Sequence, residues 1–446
     1  MNTVFNKTAL KLPEVYLPSK DTDPKKWSVI ACDQYTSQPE YWEKTAEFIK
    51  DSPSALNIIL PEVFLGSEKE EIIIENIHSS MDIYLESNIL EKHGPGIFMC
   101  ERTISTGHKR KGIICCLDLE HYDYSKGSKS LIRPTEGTIV ERIPPRIRVR
   151  QKASLETPHI MVLIDDPDKK VIEPLFESEN KKKLYDFELM NNSGRLAGFM
   201  TDNEDLISKM AESLLSLTEE NSYCSKYGID SANDPLLYAM GDGNHSFATA
   251  RAFWEQIKNE NKNSTDIMNH PARWALVEIV NIHDESIEFE PIHRVLFNVD
   301  PEKILKELKS FFEERGSAVS IIKTDTFENL KTIREDTHEI PFCHSTGRGI
   351  LKIESPLKNL AAGDLEDGLN YISQKKSSLK IDYIHGSRHL EQLSVKEGSL
   401  GFLLPCIPKS TFFKTIIKDG AFPRKTFSMG EADDKRFYME CRKIVL

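Results

Sequence analysis

The run Leu236-Leu237-Tyr238-Ala239-Met240-Gly241-Asp242-Gly243-Asn244-His245-Ser246 changes character midway, from uncharged apolar residues to a polar turn. The apolar part is long enough for a buried strand and too short for a helix. Beyond the turn, Phe247, Ala250, Trp254 and Ile257 recur at helical spacing with polar and charged residues between them, which predicts an amphipathic helix. A strand passing through a glycine turn into a helix is the building unit of α/β proteins. It also gathers backbone N–H groups at one point. Those donors and the helix dipole favour an anion, and Gly241 and Gly243 let a phosphate approach the backbone. Asp242 has the chemistry to hold a metal ion or accept a proton. His245 can donate to a phosphate oxygen, with Asn244 and Ser246 as further polar contacts. The same residues also read as an Asn- or Ser-capped helix start behind a tight turn, with no ligand at all.

Working outward, helices are expected from about Pro39 to Lys50, from Glu68 to Lys92 before Gly94-Pro95-Gly96, and from Asn203 to about Asn221. Residues 96–105 and 111–119 read as a hairpin pair, and Ile160-Met161-Val162-Leu163-Ile164 as a buried strand. Short strands are expected at Ile58-Ile59-Leu60 and from Ala272 to Val280. From Pro301 a compact α/β pattern follows: a helix to Arg315, a strand near Val319 to Ile322, a hairpin at residues 345–349, a helix from Asp364 to Ser377 and a strand at residues 381–384. The fold class is therefore α/β (α+β), with a domain boundary near residues 295–302.

The chain has 446 residues, enough for two or three domains. Hydrophobic residues at 39% and charged residues at 29% fit a globular protein. The net charge of −12 disfavours general nucleic-acid binding, which needs a basic footprint, but leaves room for a local anion pocket. Met1 to Lys11 has no apolar core, and no run is long enough to span a bilayer, so a cytoplasmic, membrane-free protein is expected. The cysteines at 32, 100, 115, 116, 224, 343, 406 and 441 form no C-x-x-C pair, so reduced and mostly buried thiols are expected rather than a zinc site or a disulfide framework.

A second polar cluster, Arg133-Pro134-Thr135-Glu136-Gly137-Thr138, is followed by Arg142, Arg146 and Arg148. A carboxylate among arginines suits deprotonation of a substrate hydroxyl beside bound phosphate, with Arg133, Thr138 and Arg142 on the negative charge. Thr135 or Thr138 equally reads as the start of a capping box with Glu141. Pro291-Ile292-His293-Arg294 could bind a phosphate or carboxylate, or form a linker ion pair. Arg424, Lys425 and Thr426 could reach back to a ligand or lie in a solvated loop. His385 and His389 could share a helix face as metal ligands, or belong to a polar helix start. The P-loop, the Rossmann fingerprint, the nucleophile elbow and the H-E-x-x-H motif are all absent from the sequence.

With these residues assembled, the chain resembles a prokaryotic family, domain of unknown function 1015, over nearly its whole length. Its markers are residues 30–35, 133–138, 188–190 with 193–195, 241–246, 291–294, 381–386 and 423–428. The turn also resembles the Asp-Gly-x-His-Arg signature of the ParB/sulfiredoxin-like superfamily, some of whose members are free-serine kinases. That resemblance implies a ParB/sulfiredoxin-like catalytic region with insertions over residues 1–298. A smaller C-terminal α/β domain, residues 299–446, would close over the site. It implies Glu136 as the base that activates a hydroxyl, with Asp242, Asn244 and His245 facing nucleotide phosphates and Mg²⁺ held at Asp242. His293, Arg294, Arg424, Lys425 and Thr426 would be second-domain contacts to substrate. The implied activity is phosphoryl transfer between ATP or ADP and a small hydroxylated metabolite, free serine first among them. A non-catalytic nucleotide-binding regulator and a phosphatase for a phosphometabolite such as phosphoserine stay open. Ser246 departs from the superfamily pattern, which has Arg there, so a fixed positive charge is missing; Arg251, Arg142 or the Arg424-Lys425 pair are the candidates to replace it. Nothing in the sequence fixes an oligomeric state.

Overall fold

A computed structural model describes residues 2–125, 127–324, 336–376 and 379–446. It is a mixed α/β protein with two large sheets, in two compact units: Met1–Ile287 with Glu431–Leu446, and Glu288–Gly430. The compact units divide between Ile287 and Glu288, ahead of the strand Phe289–Phe297, whereas the boundary expected after residue 298 lies just past that strand. The C-terminal segment, expected in the second domain, is part of the first unit. Its Phe437, Tyr438, Met439, Cys441 and Ile444 are buried in that core.

The first unit is built on a nine-stranded sheet. Its strands are β1 (Leu10–Lys11), β2 (Ile97–Thr103), β3 (Lys109–Asp118), β4 (Ile132–Arg133), β5 (Ile160–Ile164), β6 (Lys182–Glu188), β7 (Arg195–Thr201), β8 (Tyr238–Asp242) and β9 (Trp274–Asn281). The order is β4-β8-β5-β9-β3-β2-β7-β6, with β1 added to β3. Both faces are covered. Ile114, Cys116 and Leu276 pack into one apolar cluster, while Ile113, Cys115, Leu117, Ala275 and Val277 pack into the other. This explains why β3 and β9 read as nearly continuous apolar runs rather than as alternating ones. The helices that matter here are α1 (Pro39–Ile49), α2 (Glu70–Glu86), α3 (Ile143–Arg150), α4 (Glu204–Ser216) and α5 (Asn244–Glu260).

The hairpin expected at residues 96–119 forms as β2 and β3, paired antiparallel. Three expectations need correction. Residues 58–60 make no strand; Ala55–Ile58 is a 3-10 turn that packs on α2. The helix expected to Lys92 stops at Glu86, because Leu90–His93 pairs antiparallel with Val15–Pro18. The helix expected from 203 to 221 is α4 followed by a separate helix, Glu220–Tyr227.

The second unit carries a seven-stranded sheet of β10 (Phe289–Phe297), β11 (Ala318–Lys323), β12 (Thr337–His344), β13 (Gly347–Glu354), β14 (Lys380–His385), β15 (Ser399–Phe402) and β16 (Phe427–Met429). The order is β11-β13-β12-β15-β10-β14, with β16 also on β10. Helices α6 (Pro301–Glu313) and α7 (Ala361–Lys375) pack Leu308, Phe312, Leu365 and Leu369 against it. The expected helix end at Ser377 lies outside the described residues. A further helix, α8 (Ser387–Ser394), follows β14. His385 ends the strand and His389 lies on α8, so the two do not share a helix face.

Candidate active site

Strand β8 runs parallel to β4 and antiparallel to β5. Its register against β5 slips between Met240 and Asp242, so the bulge lies at Gly241, and Asp242, opposite Met161, is the last paired residue. Gly243 then adopts φ 76° and ψ 27°, left-handed geometry that favours glycine. A Cβ there would lie 3.2 Å from both the His159 ring and the Ile160 Cα. Gly243 is the N-cap of α5 and no side chain caps the helix, so the simple Asn- or Ser-capped start is not what forms. The first intrahelical bond runs from Phe247 N–H to the Gly243 carbonyl. The amides of residues 244–246 therefore precede the ladder, as an anion site at a helix start requires. Phe247, Ala250 and Trp254 anchor the helix in the core, and Trp254, Arg251 and Lys258 all meet Glu120.

The loop bearing Glu136 arrives at the same edge, because β4 and β8 are parallel neighbours. Two bonds tie it to the helix start. Asn244 Nδ2 donates to Thr135 Oγ1 at 3.3 Å, and Ile139 N–H donates to His245 Nε2 at 3.3 Å. Half-buried Glu136 lies between these two anchors. The capping-box alternative fails: the turn at Val140–Arg142 and α3 both start without a side-chain cap. Thr138 faces the Tyr122 hydroxyl. His245 Nε2 is an acceptor in this arrangement, which leaves donation to its Nδ1. Asn244 Oδ1 is buried without a hydrogen-bond partner.

The cations fall differently from expectation. Arg133 is buried and donates to the Ser130 and Asp234 carbonyls at 2.8 and 2.6 Å, so it braces the loop instead of facing a ligand. Arg251 is committed to Leu119 O, Glu120 and Glu255. Arg142 is exposed. The cation at the turn is Lys435, whose Nζ lies 3.2 Å from Asp242 Oδ2, while Asp242 Oδ1 accepts from Gly243 N–H at 3.0 Å. Lys435 comes from the C-terminal segment, far away in sequence, so no spacing could have announced it.

Beside the turn, His159 precedes β5. Its Nε2 is 3.5 Å from Asp33 Oδ2, and its Nδ1 is 2.5 Å from the Tyr438 hydroxyl. Burial opposes charge on both partners. On His159, Tyr438 and then Asp33 outweigh it, with Cys32 adding; on Asp33, His159 outweighs it, with Gln34 and Lys435 adding. Asp33 is held well below the usual carboxylate range and His159 well above the usual imidazole range. Asp33 belongs to the marker at residues 30–35, which offered a signal without a role; His159 was missed. A cavity of about 160 Å³ opens here, lined by Ser246 and Thr249 of α5, Arg146 and Arg150 of α3, Cys32, His159 and Tyr438 among apolar side chains. Arg146 pairs with Glu62 and Arg150 with Glu156.

In the second unit, His293 accepts from Leu404 N–H at 3.0 Å; burial, then Arg294 and His385, lower it to about 4, so it is neutral near pH 7. Arg294 is buried and donates to the Ile292 and Lys425 carbonyls at 2.7 and 3.0 Å. Thr426 is buried and donates to Pro423 O at 2.6 Å. His293 and Arg294 are interior residues of β10 rather than of a linker; the expected ion pair forms between Arg294 Nε and Glu366 Oε2 at 3.5 Å, and Arg294 and Thr426 hold the loop at residues 423–426. Arg424 and Lys425 are exposed, with Lys425 Nζ 4.7 Å from the Tyr383 ring.

Fold and turn thus define a mixed α/β protein in which a strand, a glycine turn and a helix start leave the amides of residues 244–246 ahead of the helical ladder, with a carboxylate loop fastened to that helix start. The chain belongs to the family described as protein of unknown function DUF1015, whose model matches residues 16–369. No curated protein sequence matches it significantly. Among solved structures it is similar to a free serine kinase in complex with AMP, at TM-score 0.38 and 10% identity over 74% of this chain and 92% of that one. A conserved hypothetical protein from Pyrococcus furiosus gives 0.34 and 11% over 74% and 95%. SbnI with a C-terminal truncation, from Staphylococcus aureus, gives 0.34 and 8% over 71% and 82%. Likenesses this loose carry no inference about the site. Among the described residues no helix is long and apolar enough to cross a membrane.

Proposed function

We propose that the first unit is a ParB/sulfiredoxin-like phosphotransferase that moves a phosphoryl group from a nucleotide to a small hydroxylated metabolite, with free serine the leading acceptor. One observation carries this reading: Thr135 and Ile139, on either side of Glu136, are both bonded to the first residues of the anion-binding helix. A base and a phosphate cradle are thereby held as one piece, and phosphoryl transfer depends mainly on such positioning. Glu136 takes the hydroxyl proton and the freed oxygen attacks the terminal phosphorus. The bond from that phosphorus to the nucleotide breaks, and the nucleotide leaves one phosphate shorter. The amides at the start of α5 hold phosphate oxygens, and Lys435 supplies the positive charge that Ser246 does not.

Mg²⁺ fits this donor set. Asn244, through its unpartnered Oδ1, and Asp242, whose Oδ2 is paired with Lys435 when no ion is bound, are the residues that would hold it, phosphate oxygens and water completing its shell. Among the described residues no group of three or more His, Cys, Asp or Glu could bind a metal alone, which suits an ion that arrives with the nucleotide. When bound, the ion neutralises charge on the phosphates.

A thermal-shift series with ATP, ADP and AMP, with and without Mg²⁺, tests the reading. A nucleotide at about 100 times its dissociation constant is expected to stabilise the protein by about 2–3 kcal/mol. Lys435→Gln is expected to shrink that gain. Absence of any nucleotide-dependent shift would overturn the proposal.

A further inference from the structure

We propose that Cys32 is a nucleophilic thiol, held beside the His159 imidazole that Asp33 orients, and that it takes a small electrophilic carbon bearing an apolar substituent. This goes beyond phosphoryl transfer and does not depend on it. Cys32 Sγ lies 3.9 Å from His159 Nδ1, and Asp33 lies at the other ring nitrogen, at 3.5 Å. A thiol beside an imidazole that a carboxylate holds charged is the arrangement that favours the thiolate. The Tyr438 hydroxyl fixes the pair from both sides: it meets Nδ1 at 2.5 Å and accepts from Cys32 N–H at 3.0 Å.

The thiol has somewhere to act. Cys32 is half-buried and lines the cavity of about 160 Å³, together with His159 and Tyr438. The remaining wall is mostly aliphatic, with Ile59, Leu60 and Leu155, and the arginines there are paired with Glu62 and Glu156. That lining suits an apolar substituent more than an anion. Cys100, Cys115, Cys116, Cys343 and Cys441 are buried, and Cys406 is exposed; none of them has a histidine contact of this kind among the described residues. In the reaction the thiol proton passes to solvent, the thiolate is stabilised by the imidazolium beside it, and the sulfur–carbon bond forms; a leaving group departs with its bonding pair, or, with N-ethylmaleimide, the carbon–carbon double bond opens and the adjacent carbon takes a proton. With iodoacetamide the carbon–iodine bond breaks and iodide leaves.

Timed alkylation of the whole chain by iodoacetamide and by N-ethylmaleimide, read by peptide mass spectrometry, tests this with Cys406 as internal reference. Cys32 is expected to react about tenfold faster than the more exposed Cys406, because a thiolate beside a cation is the reactive species. The ratio is expected to be larger for N-ethylmaleimide, the more apolar probe. His159→Gln is expected to bring Cys32 down to the Cys406 rate, and Asp33→Asn to an intermediate rate, while Cys406 itself is unchanged. A wild-type Cys32 no faster than Cys406 overturns the proposal without any variant. An excess that survives in folded His159→Gln overturns the role of the imidazole, and equal ratios for the two probes overturn the apolar substituent.

Discussion

Gly243 does two things at once, and each can be tested separately. Its left-handed backbone aims the amides of α5, and its missing side chain leaves room for His159, whose ring stands 3.2 Å from where a Cβ would be. Alanine meets both difficulties, and Gly243→Ala is expected to cost about 1–2 kcal/mol in denaturant unfolding from the backbone alone. Asparagine tolerates the left-handed conformation but brings the same Cβ. If contact with His159 matters, Gly243→Asn therefore stays destabilised; if only φ matters, it recovers most of the loss. A neutral Gly243→Ala would contradict both accounts. At this scale the turn was largely legible, since glycine, polar residues and the apolar flanks each have a local physical meaning. The partners were not. Lys435 and His159 reach Asp242 and Gly243 only through the tertiary fold. Arg133, which read as a ligand group, turned out to satisfy buried carbonyls that no sequence pattern marks.

Among elements, α3, β9 and the C-terminal segment converge on one buried carboxylate. Glu156 accepts from Arg442 Nε at 2.7 Å, from Arg150 at 2.6 Å and from Leu276 N–H at 2.8 Å. Burial would raise its pKa, but Arg442 and Arg150 more than reverse this, so it is lowered in the folded protein. A carboxylate lowered on folding contributes stability above its unfolded pKa of about 4.3 and loses it as pH falls through the folded value. The first unit is therefore expected to weaken progressively below about pH 4. Glu156→Gln is expected to cost about 3–5 kcal/mol near neutral pH, because buried Arg442 and half-buried Arg150 lose their partner, and to flatten the acid limb of the stability curve. An unchanged acid limb would contradict this. Elements marked by a continuous apolar run, such as β5 and β3, or by a helical apolar period, such as α5, were readable. The short strand at residues 90–93 was not, because it exists only through pairing with residues 15–18.

For the molecule as a whole, the division into units depends on a chain that leaves the first unit at Ile287 and returns at Glu431. Sequence order suggests two consecutive domains, and only packing shows the return. Arg436, fully buried between Glu278 and Glu440, carries that return into the sheet. A chain ending at Gly430 is expected to lose cooperative unfolding of the first unit, followed by near-ultraviolet circular dichroism; a retained transition would show the segment to be dispensable. The formal charge of −12 makes electrostatic steering toward an anionic nucleotide a local matter of Lys435 and the helix start, not of the whole surface. The central claim is that Glu136 acts as a base beside a phosphate cradle built by other residues. Its most direct measurement compares wild type and Glu136→Gln for nucleotide affinity by calorimetry and for phosphorylated product by phosphorus NMR, with serine and other small alcohols as acceptors. The expected result is unchanged affinity with product formation abolished; a variant that loses binding together with turnover, or that still turns over, would contradict it.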